Sequence, residues 1–257
     1  MLKNARMPIE ILPTDQDVFE KCANDMFECI EENNKKGEIS VIVIPVGPIG
    51  QYGIFAKKVN ESKLDMSSSY FLLMDAYIEN GKDLPYEHRM SLKRRIDALL
   101  FDKIEVPFDR SHIIAMKAED VGYMDREIER LGKIDLCVAG IGIDGHIGMN
   151  EPLDLSAKEY LEVAVSRILP LTIQTRLISA IGNFKGALTE IPENGITIGL
   201  KEMMTAKKMR VYCFRDWHNS CIKRTVCALP DGNFPATILQ LHNDVVLYAH
   251  EEIVQKI

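Results

Sequence analysis

Three side chains able to move protons, Asp144, His146 and Glu151, lie close together in residues 133–153, KIDLCVAGIGIDGHIGMNEPL. A carboxylate bound to one ring nitrogen of a histidine fixes its tautomer and raises the basicity of the other nitrogen. An imidazole between two carboxylates is therefore suited to general acid–base chemistry. A histidine on its own is more often a satisfied structural residue, but two carboxylates on a segment that has to turn favour chemistry here. The same trio could ligate a metal. No closely spaced histidine pair accompanies it, so no zinc site and no metal is expected.

The trio must be delivered by what precedes it. Residues 134–139 are an apolar run interrupted only by Asp135, the pattern of a strand buried on both faces, and they run into Gly140, Gly142 and Gly145. Polar groups then sit at the strand's carboxyl end, where open α/β sheets keep their ligands. Pro152 stops the segment from continuing as a regular helix. Gly140, Gly142 and Gly145 also spell a G-x-G-x-x-G fingerprint, which would bind a dinucleotide if a helix opened at the third glycine and an acid ended the next strand. The Asn150-Glu151-Pro152 interruption, and the setting of Glu159 and Glu162 in a mixed polar stretch, count against that alternative.

The rest of the chain alternates strands with helices. Strands are expected at residues 9–12 on a sheet edge, 39–44, 69–74, 112–115, 196–200 and 211–214. Helices are expected from the Thr14-Asp15-Gln16-Asp17 start signal to Gly37, through Lys57 and Val59, and over residues 86–100 and 120–131. Arg89, Lys93, Arg94 and Arg95 are read as the solvated face of the third of these helices, and His88 as a surface residue. This order gives an α/β, Rossmann-like, doubly wound, mostly parallel sheet flanked by helices, formed by residues 1–257 as a single domain. At 257 residues one large core is favoured over two small ones. The net charge of -7 argues against nucleic acid or an anionic membrane as partner. Six cysteines without a Cys-x-x-Cys pair suit reduced, buried thiols and a cytoplasmic location. No run of 18 apolar residues occurs, so no membrane span is expected.

The run GIGIDGHIGMNEP resembles the signature of the glucosamine-6-phosphate deaminase (isomerase) family, whose wider relatives include the 6-phosphogluconolactonases; Asn-Glu-Pro is the deaminase form of its ending. The resemblance extends over nearly the whole chain, with residues 234–242 similar to the family's closing helix and 245–248 to its last strand. It implies that His146 opens the sugar ring while Asp144 and Glu151 orient and tune it. It also implies that Asp75 in Asp75-Ala76-Tyr77, where the family has Asp-Glu-Tyr, moves a proton between neighbouring sugar carbons. Such a 1,2 shift calls for one group that takes a proton and returns it on the same face of the intermediate. No cofactor is required, because acid and base are side chains.

The substrate contacts implied by the resemblance are Gly47, Gly50, Tyr77, Gly142, Asn150, Arg176 and His218. Several depart from the family. The loop at residues 45–53 lacks the family's hydroxyl residues and contains Pro48, so it is either a simple strand-to-helix turn or a reshaped anion cradle. Ala76 replaces a glutamate. Arg176 is the nearest match to the family's phosphate arginine, and His218 stands where the family places a phosphate lysine. The expected activity is isomerisation and deamination of an amino-sugar phosphate, of glucosamine or galactosamine 6-phosphate type. The alternative is a sugar-binding or substrate-shifted paralogue, with a lactonase or dinucleotide enzyme behind it. The expected partners are a small-molecule sugar phosphate and further copies of the chain.

Overall fold

Each central strand is a short run of β-branched and apolar residues, and the side chains of successive residues are divided between two cores. The computed structural model describes residues 4–255. β1 (Ile9–Leu12) leads into α1 (Asp15–Lys36), which starts where Thr14 and Asp17 form a reciprocal cap and stops at Gly37 in the left-handed conformation. β2 (Ser40–Ile44) is buried along its whole length and passes into α2 (Gly50–Ser62). β3 (Ser69–Leu73) is followed after one residue by β4 (Asp75–Glu79) and the short β5 (Lys82–Asp83), then by α3 (Leu92–Leu99), β6 (Ile113–Ile114) and α4 (Tyr123–Leu131). β7 (Leu136–Ala139) feeds the motif loop, after which come α5 (Ala157–Val163), β8 (Arg167–Pro170) and α6 (Ile173–Asn183). β9 (Asn194–Thr197), α7 (Leu200–Met203), β10 (Lys208–Cys213), α8 (His218–Cys227), a 3-10 helix at Pro235–Leu241, β11 (Val245–His250) and α9 (Glu251–Gln255) complete the chain.

Seven strands form one sheet in the order β1-β11-β10-β7-β2-β3-β6, every neighbouring pair parallel. The chain moves outward from β2 through β3 to β6, then returns to the other side of β2 with β7 and moves outward again. The order therefore reverses between β2 and β7, and a crevice opens beyond their carboxyl ends. Val41, Val43, Cys137, Ala139 and Val211 face one core, which also takes α4 and α8. Ile42, Ile44, Leu136, Val138 and Tyr212 face the other, beneath α1 and α2. This is the α/β doubly wound arrangement expected, with β1 on the edge.

Several expectations change in the structure. The strand expected at 196–200 spans Asn194–Thr197, with Leu200 already opening α7, and the one expected at 112–115 is only Ile113–Ile114, because His112 ends a 3-10 turn. The helix expected at 86–100 begins only at Leu92, because the Ser91 side chain accepts from the Arg94 N–H and caps the helix there. The helix expected at 120–131 starts at Tyr123 after a turn. A second sheet of four antiparallel strands, β5-β4-β9-β8, was not anticipated beyond its β9 strand. It places Asp75 opposite Thr197, and Thr197 opposite Arg167. That small sheet closes one side of the crevice.

Candidate active site

The loop after β7 is shaped around His146. Gly145 holds a φ of +88°, and a side chain there would also run into the Phe234 ring. Gly142 lies against the face of the His146 imidazole so closely that a Cβ would overlap the ring. The backbone closes the turn with Gly142 N–H donating to His146 O at 2.9 Å and Gly145 N–H to Gly142 O at 2.9 Å. His146 Nδ1 lies 2.6 Å from Asp144 Oδ1, 3.1 Å from Thr175 Oγ1 and 3.9 Å from Glu151 Oε2. With Nδ1–H given to Asp144, Nε2 is the nitrogen left to meet a ligand.

The N-terminus of α6 covers the two carboxylates. Thr172 caps that helix, and its Oγ1 lies 3.1 Å from Asp144 Oδ2 and 3.2 Å from Glu151 Oε2. Its backbone N–H donates to Glu151 Oε1 at 3.3 Å. The positive end of a helix and a hydroxyl thus hold two acids beside one histidine. Thr172 and Thr175 were not singled out in the sequence, although a threonine pair three residues apart just after Pro170 is an N-cap signal.

Asp75 opens β4 at the carboxyl end of β3. It shares with His146 the lining of two adjoining cavities of about 120 and 110 Å³, and Gly47, Gly148, Thr175 and Ser179 border both. Burial raises the Asp75 carboxyl from 3.8 to about 6, and the nearby His146 only partly opposes the rise. For His146 burial disfavours the charged ring, but the hydrogen bond and charge of Asp144, with Glu151 and Asp75, outweigh it and raise the pKa. Glu151 is raised, first by burial and then by the Asp144 carboxylate, against the pull of His146. Asp144 is desolvated as well, yet its bonds to His146 carry it well below the usual carboxylate range. Two neighbouring acids are thus driven in opposite directions, which marks out an acid–base centre. Asp144, His146 and Glu151 present ligand atoms within 4.8 Å of one another. The hydrogen bonds from His146 and Thr172 already engage those atoms.

No family model matches the chain. Among curated proteins, it is 32% identical over 217 residues to the glucosamine-6-phosphate deaminase of Lachnoclostridium phytofermentans, covering 81% of this chain and 86% of that one. The chain belongs to the glucosamine-6-phosphate deaminase family. The enzyme of the same name from Clostridium perfringens is 29% identical over 244 residues, 92% of this chain and 94% of the relative. In fold, the chain superposes on a monomeric glucosamine-6-phosphate deaminase with a TM-score of 0.85 at 20% identity, covering 97% and 99% of the two chains. A 6-phosphogluconolactonase from Thermotoga maritima gives 0.70 at 14%, covering 95% and 99%.

Within that family frame, the structure sorts the expected substrate contacts. Gly47 and Tyr77 border the cleft. Gly142 borders it too, while making room for the His146 ring. Gly50 does not line it: it begins α2, and a Cβ there would lie 2.6 Å from the Phe19 ring. Asn150 is fully buried, with its amide given to Ile147 O and Ile198 O and its oxygen taken by Arg167 Nη1 and Leu200 N–H. It locks the motif loop onto the small sheet. Arg176 turns away from the cleft, with Nη1 3.3 Å from Glu193 and Nη2 donating to Ile191 O at 3.2 Å. One residue of register, Thr175 instead of Arg176, decides which side chain of α6 faces His146.

His218 lines the cavity wall but carries no free nitrogen. Its Nδ1 accepts from the N–H groups of Phe214 and Arg215 at 3.0 Å each, and Nε2 lies 3.1 Å from Ile141 O. Burial lowers its pKa to about 3, so it is neutral and cannot serve as a cation for phosphate. Two arginines not assigned to the cleft from sequence do line it. Arg215 stands just beyond β10, and Arg95, expected on a solvated helix face, borders the second cavity with Tyr77 and Phe184.

Proposed function

We propose that this chain isomerises and deaminates an amino-sugar phosphate of the glucosamine 6-phosphate type, releasing ammonia and a ketose phosphate. The observation that carries the reading is Asp75 and His146 facing one cleft, with His146 Nδ1 pinned to Asp144. Nε2 of a ring held this way can take the proton of the anomeric hydroxyl and deliver one to the ring oxygen, opening the ring. Glu151 and Asp144 set how readily the ring gains and loses that proton. Asp75, with a pKa near 6, is ionised at neutral pH yet basic enough to take the proton from C2 and return it at C1. Expulsion of the amino group from the resulting carbon skeleton follows as water adds. Acid, base and orienting groups are all side chains of this chain, and no cofactor enters the scheme.

We further propose that residues 1–257 act as one domain; both hydrophobic clusters pack on the faces of the same seven-stranded sheet. A cytoplasmic location fits the six cysteines, all free and five of them buried. No helix among the described residues is long and apolar enough to cross a membrane. Self-association draws support from Ile173, Leu177 and Ile181, an exposed apolar row on α6, and light scattering decides it. The test of the activity is release of ammonia and ketose from glucosamine 6-phosphate, galactosamine 6-phosphate and the two free amino sugars. Turnover of a phosphorylated amino sugar is expected; absence of ammonia from all four refutes the reading.

A further inference from the structure

We propose that Arg215, with Arg95 across the cleft, is the anion-binding pair that holds the sugar phosphate, in place of Arg176 and His218. The proposal rests on the deaminase reading and assigns the residues that select its phosphorylated substrate.

Arg215 follows β10 at the carboxyl edge of the sheet and lines the same cavity as Asp75 and His146. Its guanidinium is seated against α6: a Cβ on Gly182 would lie 2.5 Å from Nη1, so an added methyl would push the guanidinium aside. The Phe214 ring lies 5.4 Å from the guanidinium carbon. Among the described residues no carboxylate forms an ion pair with Arg215, and burial alone lowers its pKa. A half-buried cation without a counter-charge is costly to keep unless something anionic joins it. Arg95 approaches from α3, lines the adjoining cavity and packs 5.5 Å from the Phe184 ring. Burial first, and then the nearby charge of Arg215, disfavour the charged form of Arg95, with Tyr77 opposing.

Between these lobes lies Gly47, with no atom within 4 Å of the place its Cβ would occupy. Residues 45–53 contain no serine or threonine, and the Tyr52 hydroxyl is given to Pro45 O. Instead Gly47 borders two adjoining cavities, one lined by Arg215 and the other by Arg95, and a planar guanidinium matches phosphate oxygens bidentately. The positions expected to bind phosphate are engaged elsewhere, Arg176 with Glu193 and His218 with backbone. The anion contact has thus moved to the strand end and to α3.

Calorimetric titration with sorbitol 6-phosphate, which has no ring to open, and with sorbitol tests this without relying on turnover. The wild-type chain should prefer the phosphorylated ligand. Arg215→Ala should weaken sorbitol 6-phosphate binding roughly 10- to 100-fold, with sorbitol binding unchanged, and Arg215→Lys should recover part of the loss. Gly182→Ala, which retains the charge but crowds the guanidinium, should fall between wild type and Arg215→Ala. Circular dichroism checks that each variant is folded. Equal binding of sorbitol 6-phosphate by wild type and Arg215→Ala, or no preference for phosphate in the wild type, overturns the proposal. Ammonia release from glucosamine 6-phosphate is scored separately: its absence removes the deaminase reading and leaves the binding result standing.

Discussion

Replacing Asp75 with asparagine should stabilise the fold and stop the reaction, and the pH dependence of the first effect can be worked from the structure. Folding raises the Asp75 carboxyl from 3.8 to about 6, mainly by burial. A raised carboxyl means that the folded state binds the proton more tightly than the unfolded chain does. Below pH 3.8 the group adds no penalty; between 3.8 and 6 stability declines as pH rises; above 6 the cost is constant. The full shift corresponds to about 3 kcal/mol, of which roughly half is already present at pH 5. Asparagine cannot ionise. The stability of Asp75→Asn minus that of wild type should therefore grow by about 1–2 kcal/mol between pH 5 and pH 8. Any fixed difference in hydrogen bonding between the two side chains cancels in that change. Urea denaturation at several pH values measures it, and a difference that stays flat, or shrinks, as pH rises would refute the claim that Asp75 is held as a destabilised, near-neutral base.

Other perturbations follow from the same geometry. Gly142→Ala should displace the His146 ring and lower kcat/KM by about 100-fold or more while the chain stays folded, as steady-state kinetics and circular dichroism would show. Thr172→Val removes the hydroxyl shared by Asp144 and Glu151; a loss of about 1–3 kcal/mol in stability is expected, with the acid limb of the pH–rate profile moved upward as Glu151 becomes harder to ionise. His218→Ala should cost roughly 2–4 kcal/mol in chemical denaturation, because it leaves two backbone N–H groups and the Ile141 carbonyl without their partner. Arg176→Ala should leave KM for the sugar phosphate unchanged; a rise of tenfold would place that side chain in the cleft after all.

How far the site could be read from the sequence depended on how locally each group is fixed. Asp144, His146 and Glu151 share one loop, so strand, glycine turn and proline stop placed them without knowledge of the tertiary fold. Asp75 was reached through the resemblance of Asp75-Ala76-Tyr77 to the family's Asp-Glu-Tyr, since its place after an apolar run fits a solvated turn residue equally well. The small antiparallel sheet was not: β4 begins only one residue after β3, and β8 carries Arg167 and Pro170, which blur any alternating pattern. Asn150 and His218 have polar side chains that read as ligand contacts, yet His218 is spent on backbone groups, and Asn150 on backbone groups and Arg167, that the fold brings to them. Arg95 shows the opposite failure. On a helix with Lys93 and Arg94 it reads as solvated charge, and only the packing of α3 beside the second sheet turns it toward the cleft. The position of Arg176 depended on helical phase, and a single residue was enough to reverse its direction.

The most direct test of the central claim, that Asp75 and His146 together open and isomerise an amino-sugar phosphate, is the reaction of glucosamine 6-phosphate in deuterium oxide followed by NMR. The account predicts ammonium and ketose phosphate in equal amounts from the wild type, with deuterium at C1 in a fraction of the product, and neither product from Asp75→Asn or His146→Gln. Ketose formation by Asp75→Asn at the wild-type rate, or unchanged amino sugar with the wild type, would contradict it.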